Sequence, residues 1–206
     1  MEQRIGVVGY ECEDITIYLA GISCAMGKKA AIIDRTEQEL ICEMLGLRSE
    51  DNNTVKERDY CGIWITNRGV CADEFDIVFY VFGYRLEHPK LYDCEILLMI
   101  TDGVPAHAAL LGRIHNTECR RLLLLRNVLA WRHTVSYLTE LAGKNVPCIE
   151  LLYSERDIRE RCSISGYGKI RIRNLSSGMK NALQELMDAL SCGYSTKEIR
   201  NVLKKI

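Results

Sequence analysis

Residues 75–82 (FDIVFYVF) constrain this chain more than any other segment. They are almost continuously apolar, rich in β-branched and aromatic side chains, and show no in–out alternation. That is the pattern of a strand covered on both faces. Residues 95–101 (EILLMIT) and 122–125 (LLLL) repeat it. Shorter strands are predicted at residues 5–8, 30–33, 63–66 and 148–152. Between the strands the spacing turns helical, predicting helices over 14–26, 37–45, 105–115, 133–141, 155–161 and 176–190. Non-alternating strands separated by helices arise from βαβ crossovers. The expected fold class is therefore α/β, three layers built on a mostly parallel sheet.

The chain has 206 residues, which fits one domain, expected over 1–193, with a C-terminal amphipathic helical tail over 194–206. The formal net charge of -1 argues against bulk attraction to nucleic acid, so no nucleic-acid partner is expected. The 10 cysteines fall inside apolar runs, as at Cys24, Cys94 and Cys192, and form no C-x-x-C pair. That disfavours a disulfide framework or a zinc site and implies a reducing, cytoplasmic setting. No basic-then-apolar leader opens the chain, and no apolar run approaches the about 18–20 residues of a membrane span. His88, His107, His115 and His133 accompany no nucleophile signature, so no catalytic residue is expected among them.

The first turn carries unusual chemistry. Strand residues ending at Gly9 lead into Tyr10-Glu11-Cys12-Glu13-Asp14 and then into a helix containing Thr16. The turn holds three carboxylates and no Lys or Arg. A carboxylate at a helix N-terminus is favoured by the dipole, so these side chains take the place an anion would occupy. Two readings stand. One is a cation site, for which the short spacing gives weak metal support, so no metal is expected. The other is a turn that caps its own helix. Asp34, at the end of the second strand, is either a catalytic carboxylate or a cap for the next turn. Lys28 and Lys29 follow Gly27 and suit the preceding helix's C-terminal dipole. Residues 49–58 are polar and predicted as a loop.

Taken in order, several stretches resemble the ParA/MinD group of deviant-Walker P-loop ATPases, which includes the pilus-assembly proteins CpaE and TadZ. They are Gly27-Lys28-Lys29 leading to Ile32-Ile33-Asp34; Phe75-Asp76-Ile77-Val78; residues 95–101 followed by Val104-Pro105; and residues 122–128, then 147–152 and Ser154-Glu155-Arg156-Asp157. The resemblance implies a P-loop NTPase-like fold. It also makes Gly9, Tyr10, Glu11, Cys12, Glu13, Asp14 and Thr16 a degenerate phosphate loop, because the family pattern KGGxGKTT has lost both lysines. Only Thr16 is in register as a hydroxyl. Asp34 would be a vestigial switch residue. The strand end that should carry a metal-binding acid reads Val81-Phe82-Gly83, and the base-recognising Asn appears in inverted order as Arg126-Asn127.

The implied function is that of a pseudo-ATPase without cofactor or catalytic residues. It would be a localisation or assembly factor for a cytoplasmic-face machine such as a Flp/Tad-type pilus or a secretion system. Its partners would be proteins of that machine, a second copy, or an active paralogue. The alternative is an active ATPase binding ATP and Mg²⁺ through an atypical loop, with charge supplied by Arg35, Arg85 or a partner.

The last segment begins with a capping box, Ser195-Thr196-Lys197-Glu198. Ile199, Val202, Leu203 and Ile206 then recur on one helical face beside Lys197, Arg200, Lys204 and Lys205. Such a face can pack on its own domain, meet a partner or second copy, or lie peripherally on an anionic membrane.

Overall fold

The computed structural model describes residues 2–47, 57–70, 74–114, 118–127, 132–143, 145–167, 170–190 and 194–206. Eight strands form one sheet: β1 (Gln3–Gly9), β2 (Ala30–Asp34), β3 (Glu57–Tyr60), β4 (Ile63–Thr66), β5 (Ile77–Gly83), β6 (Ile96–Thr101), β7 (Arg120–Asn127) and β8 (Cys148–Leu152). Their order is β3-β4-β2-β5-β1-β6-β7-β8, parallel except where β3 pairs antiparallel with β4. The helices are α1 (Glu13–Ala25), α2 (Leu40–Met44), α3 (Pro105–Leu111), α4 (Arg132–Ala142), α5 (Glu155–Tyr167), α6 (Ser177–Ala189) and α7 (Thr196–Lys205).

Buried apolar clusters cover both faces of the sheet. On one face, Ile5, Val7, Ile32, Phe79, Leu98 and Leu124 meet Ile15, Leu19 and Ile22 of α1 and Leu183 and Leu186 of α6. On the other, Val8, Phe82, Leu97 and Leu125 meet Ala108 and Leu111 of α3 and Leu138 of α4. Both faces of the central strands are thus apolar, which is why their sequences do not alternate. The three-layer α/β expectation holds.

Some boundaries differ. The polar strand β3 falls where a loop is expected. Glu57, Arg58 and Asp59 are exposed, and the strand is held by backbone pairing at the sheet edge rather than by an apolar face. Residues 48–56 lie outside the described residues. Helix α2 is five residues long because Glu39, at φ 50, precedes it in the left-handed region. Helix α5 runs to Tyr167, beyond its predicted end at 161, with Ile164 buried beneath it.

The tail is not a separate appendage. Ser195 and Glu198 complete the predicted capping box. Ile199 and Leu203 are buried in the core shared with α1 and α6, and Val202 and Ile206 pack against that core. Of the three readings of this face, packing on its own domain describes Ile199 and Leu203, whose apolar side chains are buried there. Among the described residues, no helix is long and apolar enough to cross a membrane.

Candidate functional site

The carboxyl ends of β1, β2 and β5 converge on a cleft of about 680 Å³. Its lining includes Gly9, Tyr10, Glu11 and Glu13 from the first turn, Thr36 and Leu40 from the second, Gly83 and Arg85 after β5, and Arg161 of α5. Ligands of open parallel α/β sheets bind outside the strands' carboxyl ends, and this cleft occupies that place.

Gly9 makes the turn possible. Its φ is +113°, and an added Cβ would lie 1.8 Å from the Ile100 carbonyl oxygen on β6. That same carbonyl accepts the Tyr10 N–H at 2.9 Å. Gly9 is therefore required by sheet packing, whatever the cleft holds. Glu11 follows at φ 47, a left-handed position for a residue with a side chain.

The three carboxylates of the turn are met by two arginines from distant segments. Arg126, at the end of β7, donates from Nη1 to Asp14 Oδ1 at 2.9 Å and from Nη2 to Asp14 Oδ2 at 3.2 Å. Asp14 is fully buried and Arg126 is 4% exposed. Arg126 also donates to the Glu11 carbonyl. Tyr153, just past β8, donates its hydroxyl to Asp14 Oδ2 at 2.8 Å, and its ring lies 4.4 Å from the Arg126 guanidinium carbon. Burial, reinforced by the Asp14 charge, keeps that phenol protonated well above its ordinary range. Arg161 pairs with Glu11 Oε2 at 2.6 Å and with Glu13 Oε2 at 3.5 Å. Burial raises the Glu13 pKa above its ordinary 4.5, with Arg161 and Arg126 opposing the shift.

The remaining loop residues are also committed within the fold. Thr16 is fully buried and donates its hydroxyl to the Cys12 carbonyl at 2.7 Å, one helical turn back. The Cys12 thiol is buried, which pushes its pKa well up. Tyr10 stacks on His107 at 4.1 Å, and His107 Nδ1 lies 2.7 Å from Asp102 Oδ1. Asp34 accepts the Thr36 hydroxyl at 2.7 Å and the N–H groups of Thr36, Ile41 and Cys42 at 3.1, 2.7 and 3.0 Å. Both oxygens organise the entry to α2, which is the geometry of a strand-end cap. The end of β5 carries buried Val81 and Phe82 and then Gly83, with no carboxylate.

Sequence reasoning singles out the acids but not the bases that meet them. Arg126 enters it only beside a base-recognising Asn, and the Asn127 side chain lies outside what is described. Arg161 and Tyr153 do not enter it at all. One signal was available: an Arg directly following LLLL in a buried strand needs a partner, because an isolated charge there is too costly. Arg35 donates to the Asn67 carbonyl at 2.9 Å and does not line the cleft; Arg85 does. His115 lies outside the described residues, and nothing is described of the His133 side chain. Among the described residues, no group of three or more His, Cys, Asp or Glu could hold a metal ion.

This architecture is the ParA/MinD-type P-loop NTPase fold. No protein-family model and no curated protein matches the sequence. Solved structures do match by fold. A ParA family ATPase from Chlorobium tepidum TLS aligns with TM-score 0.60 at 11% identity, covering 88% of this chain and 96% of that one. The MinD cell division protein of Aquifex aeolicus aligns with TM-score 0.59 at 12% identity, over 94% of this chain and 98% of that one. A variant of Cyanothece McdA in complex with ATP aligns with TM-score 0.60 at 11% identity, over 98% of this chain and 95% of that one.

Proposed function

We propose that this chain is a non-hydrolysing protein on the ParA/MinD scaffold, acting through protein contacts rather than nucleotide turnover. One observation carries the reading. The turn at the phosphate-loop position is filled by its own anions, Glu11, Glu13 and Asp14, of which Glu11 and Asp14 are closely paired to Arg161 and Arg126. A triphosphate brought there would meet Glu11 and Glu13 at short range and would compete with them for Arg161. The residues present do not fit a Mg²⁺–triphosphate. Thr16 is turned into its helix and β5 ends without an acid.

The biological setting follows the sequence resemblance to CpaE and TadZ. We read the chain as a cytoplasmic localisation or assembly factor for a pilus or secretion machine, working as a homodimer or beside an active paralogue. Recovery of secretion-platform proteins with the tagged chain from its own cells supports that setting; their absence from such complexes removes it.

Equilibrium binding of labelled ATP with Mg²⁺ to the full chain tests the core reading. No saturation below about 1 mM is expected. Micromolar affinity overturns the proposal and favours the second reading, an active ATPase. The observation behind that second reading is that Arg85 and Arg161 both line the cleft and could supply charge to phosphates.

A further inference from the structure

The charges around the β1–α1 turn, of which Glu11, Glu13 and Arg161 line the cleft, do not balance. Glu11, Glu13 and Asp14 face Arg126 and Arg161, three carboxylates against two guanidiniums. Asp14 is saturated by Arg126 and Tyr153, and Glu11 is held by Arg161 at 2.6 Å. The shortfall falls on Glu13. Its side chain is 9% exposed, it lines the cleft, and its buried Oε2 has no hydrogen-bond donor, Arg161 approaching only to 3.5 Å. On the rim, exposed Glu37 and Arg85 are of opposite sign and leave the balance unchanged.

The remaining walls describe what would fit. Leu40, Met44 and half-exposed Ile158 supply apolar surface, and Tyr84, 46% exposed, supplies an aromatic edge. A cation on an aliphatic stem matches each part. The stem packs on the apolar wall, the head pairs with the Glu13 carboxylate in place of Arg161, and a ring lies nearby. We propose that the cleft receives a Lys or Arg side chain from a partner protein, with Glu13 as the group that accepts its charged head. The cradle that binds an anion in a phosphate loop would here bind a cation. This rests on the protein-binding reading above and names the chemistry of the contact.

The test is NMR of the full-length protein carrying carboxyl-labelled glutamate. It is titrated with N-acetyl-arginine methylamide, N-acetyl-lysine methylamide and the uncharged isostere N-acetyl-citrulline methylamide. A saturable shift of the Glu13 carboxyl is expected with at least one cationic probe, with a Kd on the order of millimolar. Citrulline should bind at least about tenfold more weakly, since the charge carries the contact. Glu13→Gln, shown folded by its thermal transition, should lose binding by a similar factor. Arg161→Gln, which removes a competing cation, should tighten it.

No saturable shift with either cation, equal binding of citrulline, or unchanged affinity in Glu13→Gln overturns the inference. Mg²⁺–ATP titrated into the same sample separates the two proposals. Nucleotide binding in the micromolar range defeats the pseudo-ATPase reading. Absence of both nucleotide and cation binding defeats only this inference.

Discussion

The first turn and the last helix solve opposite problems. At the β1–α1 turn the fold buries charge: Asp14 and Arg126 are both nearly inaccessible and survive because each completes the other. At α7 the fold buries hydrocarbon: Ile199 and Leu203 enter the core and the basic residues stay outside. Apolar burial is non-directional and tolerates variation in the partner surface. A buried ion pair is directional, and removing one member leaves the other stranded. The turn should therefore be brittle and coupled, and the helix graded and additive.

The sharpest way to break this contrast is a double-mutant cycle. Arg126→Met or Asp14→Leu alone should each cost about 3–5 kcal/mol, because each strands a buried charge. The double variant should recover most of that loss, read as urea midpoints at constant slope. Additive losses would place the pair in the same class as the helix. Leu203→Ala should cost about 2–4 kcal/mol, with no recovery from any single second substitution, as for an ordinary cavity.

The smallest effect concerns Glu13. Its folded pKa is raised by burial, so the folded state holds its proton more tightly than the unfolded state. The stability this contributes is complete below the ordinary value of 4.5 and is lost as pH rises through the higher folded value. Glu13→Gln should therefore raise the thermal midpoint at pH 7 and leave it nearly unchanged at pH 4. A variant less stable than the parent at pH 7 would mean that the Arg161 contact outweighs desolvation.

The sequence announced the architecture through its non-alternating strands, and it announced α6 and α7 through local caps. Ser176 accepts the Met179 N–H at 3.0 Å, and Ser195 forms its box with Glu198. Such signals lie within three residues of the atoms they bond. What α7 packs on was not written locally, because an amphipathic face is equally suited to a core, a partner or a membrane. Strand β3 escaped for a related reason: ERDY has no apolar period, and its pairing with β4 is what gives it its shape. The site was half apparent. Its acids are adjacent in the chain, but their bases come from β7 and α5, and no spacing rule links Glu11 to Arg161.

That separation has a consequence for assembly. Asp14 waits 112 residues for Arg126 and 139 for Tyr153. Contacts of such reach require large loops to close before they give any return. During synthesis the opening strand and helix emerge long before their counter-charges. Until Arg126, Tyr153 and Arg161 have been synthesised, Glu11, Glu13 and Asp14 lack the partners that meet them in the fold.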